Sequence, residues 1–451
     1  LMQDTIEKAV RLKHTLIDFV YDSEYDMAVA LEKYAAEKGK RNSYGIKQQD
    51  LTINLFITGG KVNGKTPLEI FLNVATNLKP EEREIIEQWK HNFIGLFEIK
   101  AIENNCYQLM NWLTAKTYKV YSHSQISDKE RKRWQPGEII LSIIAPIKNP
   151  LDIRTPQSDW FFFSDRIIKG KLSQPKLAVA VGEFRNNYPD FLYADATELL
   201  NEAWNSVAVY HDEFVDYFGK DCLTLPGYKL NQKIAELQHK MGNQLLQNAG
   251  IDSDKSLSEM LNQSDTNEAE FAETAQDIGI DTKTVDNIIK NQNKLSMVTP
   301  KVDLPAESKQ AESVTVFSDP KWGQMFLPNF VQFTDLISGN SLESDQETSS
   351  RIIRKYLEKP EANYYVWQHL KQQYHNNLAV MLQDYSQNNN FNLDKDLDDL
   401  LLKYNKYPTP ELPTIASVPI HLNNLFETAV AQVQKSKSKA KGKKKKKGFL
   451  A

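Results

Sequence analysis

Residues 95–121 read Gly-Leu-Phe-Glu-Ile-Lys-Ala-Ile, then Glu-Asn-Asn, then Cys-Tyr-Gln-Leu-Met-Asn-Trp-Leu, then Thr-Ala-Lys, then Thr-Tyr-Lys-Val-Tyr. Three β-type runs, Gly95–Ile102, Cys106–Leu113 and Thr117–Tyr121, are separated by two short polar punctuations. Glu138–Pro146 and Asp159–Ser164 repeat that character, the first of them entered through Pro136-Gly137. Five short strands with a helical pattern inserted at Ser127–Arg133 predict a small closed or partly open barrel over residues 93–170. The sequence on both sides reads as helix. The fold class is therefore α+β, predominantly helical, with a small five-stranded β-barrel-like module in the first half.

Outward from the barrel, residues 1–92 form an N-terminal helical region. Ile6, Val10, Leu12, Leu16 and Val20 fall on one helical face, and a second helix covers Met27–Ala36. Helices follow at Pro67–Leu78 and Pro80–Phe93. Residues 171–242 are helical again, at Ala194–Phe218 and Leu230–Met241. Residues 243–312 are polar and read as a linker with short helices. Residues 313–434 form a C-terminal helical region, with helices near Glu347–Leu357, Pro360–Tyr385, Leu393–Tyr404 and His421–Gln434. Residues 435–451 are a low-complexity, Lys-rich tail that reads as disordered.

Gly59-Gly60-Lys61-Val62-Asn63-Gly64-Lys65-Thr66 matches the phosphate-loop pattern G-x-x-x-x-G-K-[ST], with an apolar run at Leu51–Ile57 before it. In that reading Gly59 and Gly64 shape the loop, Lys65 meets phosphates and Thr66 meets magnesium. The next residue, Pro67, has no N–H to continue the cradle. Thr66-Pro67-Leu68-Glu69 has a simpler explanation as N-cap, first helical residue and capping-box partner. Phe56–Lys65 then reads as a strand or short hairpin turning at Asn63-Gly64. The match is read as fortuitous. A nucleotide-binding enzyme remains the alternative.

Asn63–Glu69, Glu87-Gln88-Trp89, Gly95–Ile99, Asn111-Trp112-Leu113-Thr114, Gln135–Glu138, Tyr210–Phe214 and Tyr217–Asp221 together resemble bacterial proteins related to those with a C-terminal SEC-C zinc motif. The resemblance spans residues 50–240 and implies barrel turns and helix caps rather than chemistry. The end of this chain has neither Cys nor His, so no zinc site is carried over.

Other chemistry is thinly supported. Glu236-x-x-His239 has the spacing of one half of a di-iron site, and no second copy exists among the eight histidines. His211, Asp212, Glu213, Asp216 and Asp221 form a polar run, but on one helix they point in different directions. Within residues 271–290, Ala275, Gly279, Val285 and Ile288 have helix-turn-helix spacing. Its second helix offers Lys283 and Asn287 but also Asp281 and Asp286, which repel a DNA backbone. The barrel mixes Tyr118, Lys119, Tyr121, Lys129, Arg131, Lys132, Arg133, Trp134 and Trp160–Phe163, types that can stack single-stranded bases when exposed. No nucleophile–base pair is assigned, and neither a cofactor nor a metal is expected.

The chain of 451 residues has a net charge of −4. Lys435, Lys437, Lys439, Lys441, Lys443, Lys444, Lys445, Lys446 and Lys447 carry nine positive charges with no acid among them, so the rest of the chain stands at −13. Such a run binds polyanions without sequence preference. The longest apolar stretch, Ile139–Ile147, is too short for a bilayer. Cys106 and Cys222 alone make no disulfide framework. The expectation is a non-enzymatic cytoplasmic binding or scaffold protein whose tail contacts RNA, the ribosome or another polyanion. A DNA-binding regulator using residues 271–290 is a further alternative. No particular protein partner is indicated.

Overall fold

The computed structural model describes residues 2–39, 46–123, 134–147, 159–248, 297–339 and 346–447. They form two compact units, one of residues 1–200 with 421–451, the other of residues 201–420. Both boundaries fall at helices rather than at Pro- or Gly-rich linkers, so composition alone divides the chain differently. The helical insert read at Ser127–Arg133 and the helix-turn-helix pattern at residues 271–290 lie outside the described residues.

The first unit opens with α1 (Met2–Asp22), which buries Ile6, Ala9, Leu12, Leu16 and Val20 along one stripe. Next come α2 (Tyr25–Gly39) and α3 (Ile46–Gly59). The apolar run Leu51–Ile57 is the body of α3, and Phe56–Gly59, read as the start of a strand or hairpin, is its last turn. Leu51, Ile53, Leu55, Phe56 and Ile57 are all buried, as are Thr52 and Asn54 between them. A run buried on every face shows no helical period, and a short one is indistinguishable from a strand by pattern. Its polar members are satisfied within the helix: Thr52 Oγ1 donates to Gln48 O at 2.7 Å and Asn54 Nδ2 to Asp50 O at 2.7 Å. Helices α4 (Pro67–Val74) and α5 (Pro80–Gln88) lead through a 3-10 turn at Trp89–His91 to the sheet.

Strands β1 (Phe93–Glu103), β2 (Cys106–Asn111), β3 (Thr117–Tyr121), β4 (Ile139–Pro146) and β5 (Asp159–Phe162) close a barrel in the order β1-β2-β3-β5-β4 and back to β1. Only the β3–β5 seam is parallel. β1 serves two neighbours: Phe93–Glu98 pairs with Ile139–Ile144, and Phe97–Glu103 with Cys106–Asn111, with a bulge between Ile99 and Ala101. Gly95 makes room for the Phe97 ring, which a Cβ would approach to 2.4 Å. Phe93, Phe97, Tyr107, Leu109, Tyr118, Val120, Trp134, Ile140, Trp160 and Phe162 share the barrel core. Every residue of β4 is buried. Such a strand has protein on both faces.

A sixth strand, β6 (Ile167–Gly170), extends the sheet beside β4 and is absent from the sequence reading. Helix α6 (Gln174–Asn187) follows, and its Ala180 and Phe184 line a small cavity together with Leu96 and Leu141. Helix α7 (Thr197–Phe218) then carries the chain into the second unit.

The second unit contains β7 (Cys222–Leu225), α8 (Gly227–Asn248), β8 (Met297–Val298), α9 (Ala306–Gln310), β9 (Val314–Asp319), β10 (Gly323–Pro328), α10 (Phe330–Ile337), α11 (Gln346–Glu358), α12 (Tyr364–Ser386), α13 (Leu393–Lys403) and β11 (Val418–Pro419). The helices near 347, 364 and 393 stand where their periodicity puts them. The antiparallel sheet β10-β9-β7 corrects the all-helical expectation for these regions. The first five residues of β9 are buried, which again erases the pattern. Met297, Leu304 and Ser308, within the supposed polar linker, are buried.

The chain returns to the first unit as α14 (Ile420–Lys447). The helix runs through the lysines, where the sequence reads as disordered. Lys and Ala are good helix formers, a preference that leaves no amphipathic trace.

Candidate functional site

The octapeptide at 59–66 is a helix end, a tight turn and a cap. Gly59 closes α3, and Val62 and Lys65 exchange both backbone hydrogen bonds, at 2.8 and 3.1 Å, around Asn63 and Gly64. Both turn residues have positive φ, +50° and +85°. Such a pair is what Asn-Gly provides. Glu69 N donates to Thr66 Oγ1 at 3.2 Å, and Thr66 N donates back to Glu69 Oε2 at 2.8 Å. That backbone N–H holds the Glu69 carboxyl below its usual range. The N–H groups of Gly60, Val62, Lys65 and Thr66 are therefore all engaged within the protein. A phosphate cradle needs them pointing at the anion. Gly64, Lys65 and Thr66 thus have a structural account without a ligand.

The motif residues at the β2–β3 turn also meet one another. Trp112 Nε1 donates to Glu98 Oε2 at 3.1 Å, and its carbonyl pairs with His421 Nε2 at 2.7 Å. Burial depresses the His421 pKa. Lys116 Nζ donates to Asp195 O at 2.8 Å and lies 2.9 Å from Glu198 Oε1, tying this turn to the start of α7. Burial pushes the Asp195 carboxyl up to about 6.

The barrel aromatics, which could stack bases only if exposed, are core. Tyr118, Trp134, Trp160, Phe161, Phe162 and Phe163 are each 8% exposed or less. The less buried residues of β2 and β3 are Cys106, Gln108, Met110, Thr117, Lys119 and Tyr121. Small five-stranded barrels of the oligonucleotide-binding type present bases across strands 2 and 3. Here that face offers one aromatic and one base, a poor stacking platform. Burial also raises the Cys106 thiol above its ordinary range. A protonated thiol is a weak nucleophile.

Titratable side chains converge at the barrel rim where β3 and β5 end. Arg166 lays its guanidinium 3.8 Å from the Trp134 ring centroid and 4.6 Å from that of Phe162. Lys13 of α1 places Nζ 5.4 Å from the centroid of Phe163. Asp50 of α3 accepts from Asp165 N at 2.7 Å and from Asn54 Nδ2 at 3.0 Å. Burial lowers the Lys13 pKa, against the opposing pull of Asp50 and Asp165. Burial raises that of Asp50. His123 is depressed by burial and then by the positive charges of Arg166, Lys13 and His14. Sequence reasoning misses this group because its members come from four separated segments and share no spacing. A Ser-Asp-Arg triplet just after an aromatic strand is the one local hint.

In the second unit, His211 Nδ1 lies 3.2 Å from Ser318 Oγ. Glu236 accepts from Tyr217 OH and Lys233 Nζ, both at 2.7 Å, as part of a surface network. Among the described residues, no cluster of three His, Cys, Asp or Glu could hold a metal ion. Lys406 is a buried lysine whose Nζ donates to Lys359 O at 2.7 Å, just past α11, and burial lowers it to about 8. Cys106 and Cys222 are free thiols. No described helix is long and apolar enough to cross a membrane. The nine lysines from Lys435 to Lys447 all lie on α14. No protein-family model, curated protein or solved structure matches the chain.

Proposed function

We propose that this chain is a non-enzymatic, cytoplasmic binding protein whose lysine-rich C-terminal helix contacts RNA, the ribosome or another polyanion. The observation that carries the reading is α14. Its start is tied to the barrel unit by the His421–Trp112 hydrogen bond and by Gln432 Nε2 to Gln174 Oε1 at 2.8 Å. Its far end bears nine lysines and no acid. At 1.5 Å per residue the lysine segment is about 20 Å long, enough to pass several phosphates of a strand. The engagement of the 59–66 backbone in a turn and cap supports binding over nucleotide chemistry. Two free thiols fit a reducing compartment.

Removal of residues 435–451 tests the proposal. Retention of RNA on a filter at low salt should fall to background without the tail. Equal retention by the two chains would sink the reading.

A further inference from the structure

The first two helices carry the chemical counterpart of the lysine helix. Residues 14–32 contain five acids, Asp18, Asp22, Glu24, Asp26 and Glu32, and neither Lys nor Arg. All five are exposed at the end of α1, the turn after it and the first half of α2. Asp26 accepts from Asn63 Nδ2 at 3.0 Å. Among the described residues the other four make no side-chain hydrogen bond or ion pair.

Apolar surface alternates with these acids. Tyr21 is 62% exposed, Tyr25 80% and Val29 49%. Tyr25, Ala28, Val29 and Glu32 recur at helical spacing and are all exposed, so they share one outward face of α2. Of the described side chains of α2, Met27 alone is fully buried. Helices in proteins draw most of their stability from packing an apolar face. Here such a face is left bare, and a contiguous apolar patch rimmed by polar groups marks an interaction surface.

The chemistry of the face selects its occupant. Tyrosine rings attract ammonium groups to their faces, and unpaired carboxylates attract them by charge. The segment that fits is helical, rich in lysine and free of acid, with some apolar surface of its own. α14 is such a segment: after Glu427 it has no acid, its Val430 is 56% exposed, and nine lysines follow. The lengths also agree, since α2 with 15 residues runs about 22 Å and the lysine segment about 20 Å. Tyr21, Tyr25 and Val29 stay exposed with the chain's own α14 in place, so the helix that covers them comes from another molecule.

We propose that the outward face of α1 and α2 on one copy docks the lysine helix of a second copy. The proposal goes beyond polyanion binding and gives it a competitor, because a lysine helix lying on a neighbouring copy is withheld from RNA. It does not require that RNA binds.

The test is sedimentation velocity of the nuclease-treated full chain over a concentration series, at about 50 mM and about 500 mM salt. Mass should climb from one chain toward two at low salt and stay at one chain at high salt. Two chains then separate the halves of the contact: one lacks residues 435–451, the other carries Tyr25→Ser, Asp22→Lys and Glu24→Lys. Each alone should associate about ten-fold more weakly than the parent or less. Mixed in equal amounts they should associate again, because one supplies the face and the other the helix. Only folded chains can complement in this way, and Val29→Glu repeats the face test with one exposed substitution. A parent that stays monomeric at low salt overturns the proposal. So do face variants that associate as the parent does, and a mixture that stays monomeric while both chains melt like the parent. Equal RNA retention with and without the tail would sink the polyanion reading and leave these masses unchanged, so the two fail separately.

Discussion

Thr66 shows how a single residue can belong to two patterns and serve one. Its hydroxyl and amide are both occupied by Glu69. Thr66→Ala should cost about 1 kcal/mol through the lost cap, while Lys65→Ala should be neutral within a few tenths. Urea denaturation of the two variants decides between cap and phosphate loop, since a ligand loop predicts the reverse order of importance in nucleotide binding. Asp195 permits a second test. Its carboxyl is raised from 3.8 to about 6, so its contribution is fully present below pH 4 and lost as pH rises through 6. At pH 7 the half-buried carboxylate is a burden, and Asp195→Asn should stabilise by roughly 1–2 kcal/mol after allowance for solvent screening. The gain should vanish at pH 4. Thermal melts at the two pH values check it, and a gain of equal size at both would contradict the assignment.

At the scale of elements, legibility followed burial. Strands β1 to β5 alternate with turn residues, and their spacing was readable almost to the residue. Helices α11, α12 and α13 were readable because one face is wet. Of the elements that escaped, α3 and β9 are covered on nearly every side, so hydrophobicity carries no period to read. Strand β6 escaped for a different reason: four residues are too few to show alternation. The α12–α13 pair separates packing from charge. Leu393, Leu397 and Leu401 are buried at helical spacing, while Asp394 meets Lys371 at 2.9 Å and His375 at 3.3 Å on the exposed side. Leu397→Ala should cost about 2–4 kcal/mol, and Asp394→Asn, at an exposed ion pair, much less than that. Chemical denaturation of both variants measures the ratio, and a larger loss for Asp394→Asn would reverse the weighting.

For the whole molecule, net charge conceals more than it states. A chain near −4 comprises a body at −13 and a helix end at +9. Nine lysines fully engaged on a duplex would give a salt slope of about −8, and a rod meeting the polyanion with one side about half that. Deleting residues 435–451 should therefore reduce the slope of log affinity against log salt by about four to eight. Fluorescence anisotropy across a salt series reads this directly, and a change below about two would place the binding elsewhere. The charge of the tail was legible in composition; its helical conformation was not. The rim cluster was not, because Lys13, Asp50, His123 and Arg166 become neighbours only once the barrel closes against α1 and α3.

Closure itself restricts how this barrel can be approached. β1 lends its first half to β4 and its second half to β2, and β3 and β5 complete the circuit. Among the described residues every strand of the ring has a neighbour on both sides, so main-chain pairing by a partner peptide is confined to the outer edge of β6, the one strand of this sheet with a single neighbour. A partner that docks on the ring away from that short edge must read side chains, with no backbone ladder to share the recognition.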